Sequence, residues 1–126
     1  MKIQTKQYGI IVTALITAVL HLLAAFDSQL FPGGPDPLFT LNALGYFGLL
    51  GAYFLPIGFF QQRHKLFRSI FIGYAILTIL AWIWIWVIQY VIIQGTPFFS
   101  HDSLYGVPAK IAEVALIFFL RADKNN

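Results

Sequence analysis

The sequence predicts an all-α protein, a bundle of four transmembrane helices with both chain ends in the cytoplasm. Of the 126 residues, 59% are hydrophobic and only 10% are charged, a balance typical of integral membrane proteins. Four apolar segments can be drawn, and seven of the eight Lys and Arg residues lie in the two tails or in the second connection. By the positive-inside rule that side is cytoplasmic, and the first and third connections face outward.

The four apolar segments are predicted as the helices of a single domain that covers the whole chain. The first three are each long enough to cross a hydrocarbon core of ~30 Å at ~1.5 Å per residue. Their predicted bounds are residues 8–26, 41–60, 69–93 and 107–120. The first segment can alternatively be interpreted as a signal peptide that ends near Ala24 and Ala25, but its apolar core exceeds the ~7–15 residues usual for a signal.

The second helix carries a stripe of small residues, Gly45, Gly48 and Ala52. Small side chains let another backbone approach closely, which is how membrane helices associate. The stripe therefore predicts an interface with a membrane-protein partner or a second copy of the chain. Pro56 predicts a kink towards the end of this helix.

The third helix contains the alternating stretch "WIWIWVIQY", from Trp82 to Tyr90, which resembles a half-buried strand. An isolated strand cannot satisfy its backbone hydrogen bonds in lipid, so a helix is predicted here as well. On that helix Trp82 and Trp86 share one face, and Trp84 points away from it.

The fourth helix is short and is predicted to begin near Val107, because Pro108 suits the first turn of a helix. The preceding segment "GTPFFSHDSLYG" is then expected to dip into the bundle. A non-helical backbone at that depth needs protein or a water-filled cavity around it. The sequence therefore predicts an outward-facing polar pocket beneath a loop that carries His101, Asp102 and Tyr105.

Polar residues inside the apolar segments form the candidate ligand-binding site. They recur at helical spacing, so each set shares one face, and such residues within a membrane are candidates for function. The first helix contributes Thr17 and His21, the third contributes Gln89, and the fourth contributes Lys110 and Glu113. Trp82 of the third helix is added as an apolar wall of the site.

The Lys110 and Glu113 pair has three possible interpretations. It can be a structural pair that neutralises itself, a contact for a ligand, or part of a proton relay with His21. No substrate is identified, so no catalytic residue and no enzymatic activity is assigned.

Other binding partners find little support in the sequence. A metal site built from His21, His101, Asp102 and Glu113 is conceivable by ligand chemistry, but no tight spacing supports it, and no metal or cofactor is predicted. No nucleic-acid partner is predicted, because the basic residues form no block. His64 is assigned to a basic connection that faces anionic lipid.

The motifs "LHLLAAF", "PLFTLNALGYFGLLGAYFLP" and "GVPAKIAEVALIFFL" resemble an uncharacterised family of small four-pass membrane proteins from bacteria and archaea. The length and layout are also loosely similar to the DoxX-like group. The resemblance implies a four-helix membrane bundle and marks His21, Asn42, Lys110 and Glu113, which adds Asn42 to the candidate ligand-binding residues. It implies no activity.

Two functions follow as expectations. The first is a structural or accessory membrane subunit that associates through the second helix. The second is a binder or carrier of a small amphipathic molecule, quinone-like or lipid-like, in the outward-facing polar pocket.

Overall fold

A computed structural model describes residues 5–27, 35–95 and 103–123, and every regular element in these ranges is helical. The prediction of an all-α protein is therefore confirmed at that level. The helices are α1 (Thr5–Asp27), α2 (Pro37–Phe54), α3 (Gly58–Gln62), α4 (His64–Trp82), which continues as a π-helix (Ile83–Ile93), and α5 (Ser103–Ala122).

Helix α2 begins and ends for reasons that are visible in the sequence. Asp36 caps its start, because the Asp36 carboxylate accepts a hydrogen bond from Leu38 N at 2.9 Å while Pro37 occupies the first turn. At its end, Pro56 disfavours helical geometry in the residue before it, and Leu55 is extended with ψ 133°. The predicted kink is instead a break, after which α3 forms a separate short helix.

Helix α5 begins at Ser103, four residues earlier than the sequence predicted. Pro108 lies inside this helix instead of in its first turn. Residues 103–106 are thus helical, and they do not form part of a dipping loop. A proline within a helix leaves one backbone carbonyl without its usual partner, a loss that neighbouring helices can compensate in a membrane bundle.

The stretch with alternating Trp and Ile is helical, as predicted, but over 11 residues it is a π-helix. The Gln94 N–H bonds to the Gln89 carbonyl, five residues back, in the π pattern. Trp86 is buried, whereas the Trp84 side chain is 57% exposed.

The long helices alternate in direction and pack around a hydrophobic core of small, aliphatic and aromatic side chains. Helix α1 packs against α5 and α2, and α4 packs against the same two helices. Small residues of α1, Ala14 and Ala18, lie in this core and permit a close approach. The other core members are Ile10, Tyr46, Tyr53, Phe71, Ala75, Leu116 and Leu120.

Large apolar side chains are exposed on all four long helices. Examples are Val12, Leu41, Leu77 and Phe118. Two helical spans, Thr5–Phe26 and His64–Ile93, are long and apolar enough to cross a membrane by length and composition.

Candidate functional site

The Glu113 carboxylate is the centre of a buried polar group that we call the Glu113 cluster, formed by His21, Tyr46, Lys110 and Glu113. The Glu113 side chain is 0% exposed. Its Oε1 accepts a hydrogen bond from Lys110 Nζ at 2.5 Å, and its Oε2 accepts one from the Tyr46 hydroxyl at 2.6 Å. Both carboxylate oxygens therefore have a donor, as a buried charge requires.

His21 approaches the same carboxylate from α1. Its Nδ1 lies 2.8 Å from the Thr17 carbonyl oxygen, and its Nε2 lies 4.0 Å from Glu113 Oε1. A carbonyl oxygen only accepts hydrogen bonds, so Nδ1 carries a proton, and in the neutral imidazole Nε2 holds the lone pair. His21 thus presents an acceptor nitrogen to the cluster whenever its ring is uncharged.

A partly open cavity of about 170 Å³ lies beside the Glu113 cluster. Lys110 and His21 supply polar atoms to its lining, and Trp82, Trp86 and Tyr90 supply aromatic rings. The Lys110 ammonium lies 6.0 Å from the centre of a Trp82 ring, and the Lys110 side chain is 11% exposed. The remaining lining residues are mostly apolar: Leu20, Ala24, Asp36, Leu38, Phe39, Asn42, Thr78, Ala81, Ile85, Tyr105, Gly106 and Ala109.

Four of the seven residues predicted to bind a ligand line this cavity: His21, Asn42, Trp82 and Lys110. Asn42 is held in place by the Tyr74 hydroxyl, which donates to the Asn42 backbone oxygen at 2.9 Å and lies 3.1 Å from its side-chain oxygen.

The other three lie elsewhere. Glu113 stands behind Lys110, and Thr17 positions His21 through its backbone carbonyl. Gln89 lies on the π-helix and is not among the lining residues. Of the three residues expected in the covering loop, Tyr105 lines the cavity from α5, and His101 and Asp102 lie outside the described residues. Within the described residues, no group of three or more His, Cys, Asp or Glu side chains could hold a metal ion.

A second buried group, which we call the Asp123 cluster, lies at the opposite end of the bundle and joins Lys6, Tyr53, His64 and Asp123. The Asp123 side chain is 0% exposed and accepts a short hydrogen bond from the Tyr53 hydroxyl. Lys6 Nζ lies 3.8 Å from Asp123 Oδ1, and His64 Nε2 lies 3.9 Å from Asp123 Oδ2. The start of α1, the end of α2, the start of α4 and the end of α5 therefore meet at one carboxylate.

The assignment of His64 to a lipid-facing basic connection is wrong. His64 is the first residue of α4, and its ring packs 4.2 Å from the Tyr53 ring, between centres. The neighbouring Arg63 and Lys65 are exposed. The basic composition of the segment therefore did not indicate that the His64 side chain faces inward.

Sequence reasoning also missed the two tyrosines that donate to the carboxylates. Tyr46 and Tyr53 are seven residues apart on α2, which places both on one helical face towards the core. That spacing was a usable signal. The spacing of the tyrosines did not predict their partners Glu113 and Asp123, because these lie more than sixty residues away along the chain.

The predicted small-residue stripe on α2 divides into two parts. A side chain added at Gly45 would collide with the Tyr74 ring, so Gly45 is required for packing within the bundle. A side chain added at Gly48 would meet nothing within 4 Å, and Ala52, one turn further on, is partly exposed.

Comparisons with known proteins give one family match. No curated protein and no solved structure matches the chain significantly. A family model described as "Family of unknown function (DUF7475)" matches residues 3–120. This supports the resemblance to an uncharacterised family, and the DoxX-like layout and the bacterial and archaeal distribution stay predictions. Because the match covers nearly the whole length, the chain belongs to the DUF7475 family of unknown function.

Proposed function

We propose that this chain is a four-pass protein of the cell membrane, with both termini in the cytoplasm, that binds a small, largely apolar molecule inside its helical bundle. Exposed Leu, Ile, Val and Phe side chains on all four long helices support immersion in lipid, since a water-soluble protein rarely exposes so much apolar surface. Lys6, Arg63, Lys65, Arg68 and Arg121 lie near the bundle end that holds the Asp123 cluster, which supports a cytoplasmic position for that end.

Cysteine labelling tests this topology without background, because the chain has no native cysteine. Single cysteines are placed at Ser28 and Ser100, in the first and third connections, and at Asn125 near the C-terminus; all three lie outside the described residues. We expect an impermeant thiol reagent to label positions 28 and 100 on intact cells and position 125 only after lysis. Labelling of position 125 on intact cells reverses the orientation.

The cavity beside the Glu113 cluster is the observation that carries the binding function. Its volume of about 170 Å³ resembles that of a dry, engineered cavity of ~150 Å³ that accommodates benzene. It therefore suits one ring, or the end of an acyl chain. Apolar and aromatic walls with a few polar groups at one side are the usual composition of a small-molecule site.

A fluorescence titration tests binding directly. Replacing exposed Trp84 in a Trp84→Phe variant leaves Trp82 and Trp86, both in the cavity wall, as the only tryptophans. Duroquinone, a tetramethylated benzoquinone, quenches tryptophan and is of single-ring size. We expect saturable quenching in this protein and its loss in Ala24→Phe, where a ring fills the cavity.

Gly73→Phe is the matched control, because it adds the same ring where an added side chain meets nothing within 4 Å. Quenching that does not saturate, or that is the same in Ala24→Phe and Gly73→Phe, rules out binding in this cavity. Mass spectrometry of gently purified protein complements the titration by identifying any small molecule retained from the cell.

An accessory-subunit role is the second candidate, and the open space at Gly48 favours it. Gly48 and Ala52 are one turn apart on a partly exposed face, where a helix of another protein or of a second copy can approach. Gly48→Leu should then change the oligomeric state or remove a co-purifying protein while the isolated chain keeps its stability. An unchanged oligomeric state and an unchanged set of co-purifying proteins count against this role.

A further inference from the structure

We infer that the molecule held in the cavity is a neutral, ring-sized compound with a carbonyl-type acceptor that hydrogen-bonds to Lys110. This inference rests on the proposed binding function and specifies its ligand. Three features of the cavity carry it: the donors at its wall, the charge around it, and the aromatic rings that enclose it.

Two residues of the cavity wall have hydrogen-bond donors without a described acceptor. An ammonium group has three N–H donors, and the structure describes one acceptor for Lys110, Glu113 Oε1. The indole N–H of Trp86 is buried in the same wall, with no acceptor among the described residues. Because an unsatisfied buried donor is costly, a ligand that brings an acceptor is favoured over a plain hydrocarbon.

The charges around the cavity disfavour an anion. Among the described lining residues, Lys110 carries the one positive charge, and Glu113 already matches it at 2.5 Å. Asp36, at the start of α2, places a carboxylate in the lining itself. A carboxylate or phosphate ligand would have to compete with Glu113 for Lys110 and would meet no net positive charge among the described lining residues. A carbonyl oxygen accepts from Lys110 without breaking the pair.

The walls suit a flat ring. The Trp86 and Tyr90 rings stack with their centres 5.7 Å apart, and both line the cavity, as do Trp82 and Phe39. Aromatic rings favour offset or edge contacts with another ring. A ring that carries a carbonyl can then lie against these walls with its oxygen towards Lys110.

Three ligands of matched shape test the inference in the Trp84→Phe protein. Duroquinone is neutral and has carbonyl acceptors, durene has the same methylated ring without carbonyls, and 2,4,6-trimethylbenzoate carries an anion. Duroquinone affinity comes from quenching, and the affinities of the other two come from displacement of duroquinone. We expect duroquinone to bind at least about tenfold more tightly than durene, because a hydrogen bond to a charged donor is lost, and the benzoate to bind most weakly.

Two variants locate the effect at Lys110. In Lys110→Met combined with Glu113→Gln, which leaves no unpaired charge and keeps an acceptor for Tyr46, durene binding should persist and the preference for duroquinone should fall below about threefold. Lys6→Met removes a lysine from the other end of the bundle and should keep the full preference.

Each remaining outcome is informative. Equal affinity for durene and duroquinone overturns the acceptor requirement and points to an acyl chain. The tightest binding by the benzoate overturns the neutral class, and a preference that survives in the double variant overturns the role of Lys110. The ranking of the three ligands on the Trp84→Phe protein decides the class even if the double variant does not fold. If none of the three binds in a way that Ala24→Phe abolishes, the proposed binding function itself fails.

Discussion

Two carboxylates among the described residues, those of Glu113 and Asp123, are 0% exposed; they have the same kinds of partner and differ in where those partners come from. Glu113 and Asp123 each accept from a tyrosine of α2, and each has a lysine and a histidine nearby. Lys110 lies one turn from Glu113 on α5 at 2.5 Å, whereas Lys6 reaches Asp123 from the other end of the chain at 3.8 Å.

The Glu113 cluster therefore contains a charge pair within one helix, whereas the Asp123 cluster joins residues that are distant in the sequence. Lys110 is 11% exposed and Lys6 is 28% exposed, so only Lys6 can turn readily to solvent if its partner is removed. The Glu113 cluster adjoins the cavity, while the Asp123 cluster joins four helix ends. We therefore expect the Glu113 cluster to respond to ligands and to be sensitive to unpaired charge, and the Asp123 cluster to hold the bundle end together.

The largest effect is expected for Lys110→Met alone. It leaves the fully buried Glu113 without its cation, and breaking a buried pair from one side costs about 3–5 kcal/mol. The double variant Lys110→Met with Glu113→Gln should recover most of this loss, because no charge remains unpaired. Thermal unfolding of the parent, the single and the double in detergent measures both. A single variant as stable as the parent contradicts the description of a buried, coupled pair.

A smaller loss is expected for Asp123→Leu. The Tyr53 hydroxyl loses its acceptor in a buried position, at about 1–3 kcal/mol, while Lys6 can rehydrate. Asp123→Asn keeps an acceptor oxygen and should cost less. The same unfolding measurement decides, and a loss from Asp123→Leu equal to that of Lys110→Met would remove the distinction between the two clusters.

Substitutions at Gly45 and Gly48 are expected to differ in their effect, because only Gly45 packs against a neighbouring side chain. Gly45→Ala forces the Tyr74 ring to move, and Tyr74 holds Asn42 in the cavity lining, so we expect a loss of about 1–3 kcal/mol and weaker duroquinone binding. Gly48→Ala adds a methyl group to open space and should stay within about 0.5 kcal/mol of the parent. Equal stability of the two variants would show that the Tyr74 contact is not tight.

Among the substitutions of charged residues, the smallest effect is expected for Lys6→Met. A partly exposed ion pair contributes about 0–1 kcal/mol, and Tyr53 still satisfies Asp123. The variant should unfold within a few degrees of the parent and bind duroquinone normally. A loss as large as that of Lys110→Met would mean that the lysines at the two ends are equivalent.

The amino-acid sequence by itself determined the helical class, the approximate position of the long helices and the local pair on α5. These properties depend on hydrophobic runs and on spacings of three or four residues, which a single segment contains. Pro56 likewise predicted an interruption of the second helix. The interruption is a break instead of a kink because Leu55 is extended.

Only the tertiary structure decided which side chains share a carboxylate and where a cavity remains. Tyr46 meets Glu113, and Asp123 meets Lys6, because helices far apart in the chain alternate in direction and pack side by side. No local pattern encodes such contacts. The rule that proline marks the first turn of a helix also failed, because Pro108 lies inside α5. The cavity likewise exists because bulky rings and small residues from α1, α2, α4, the π-helix and α5 leave the space between them unfilled.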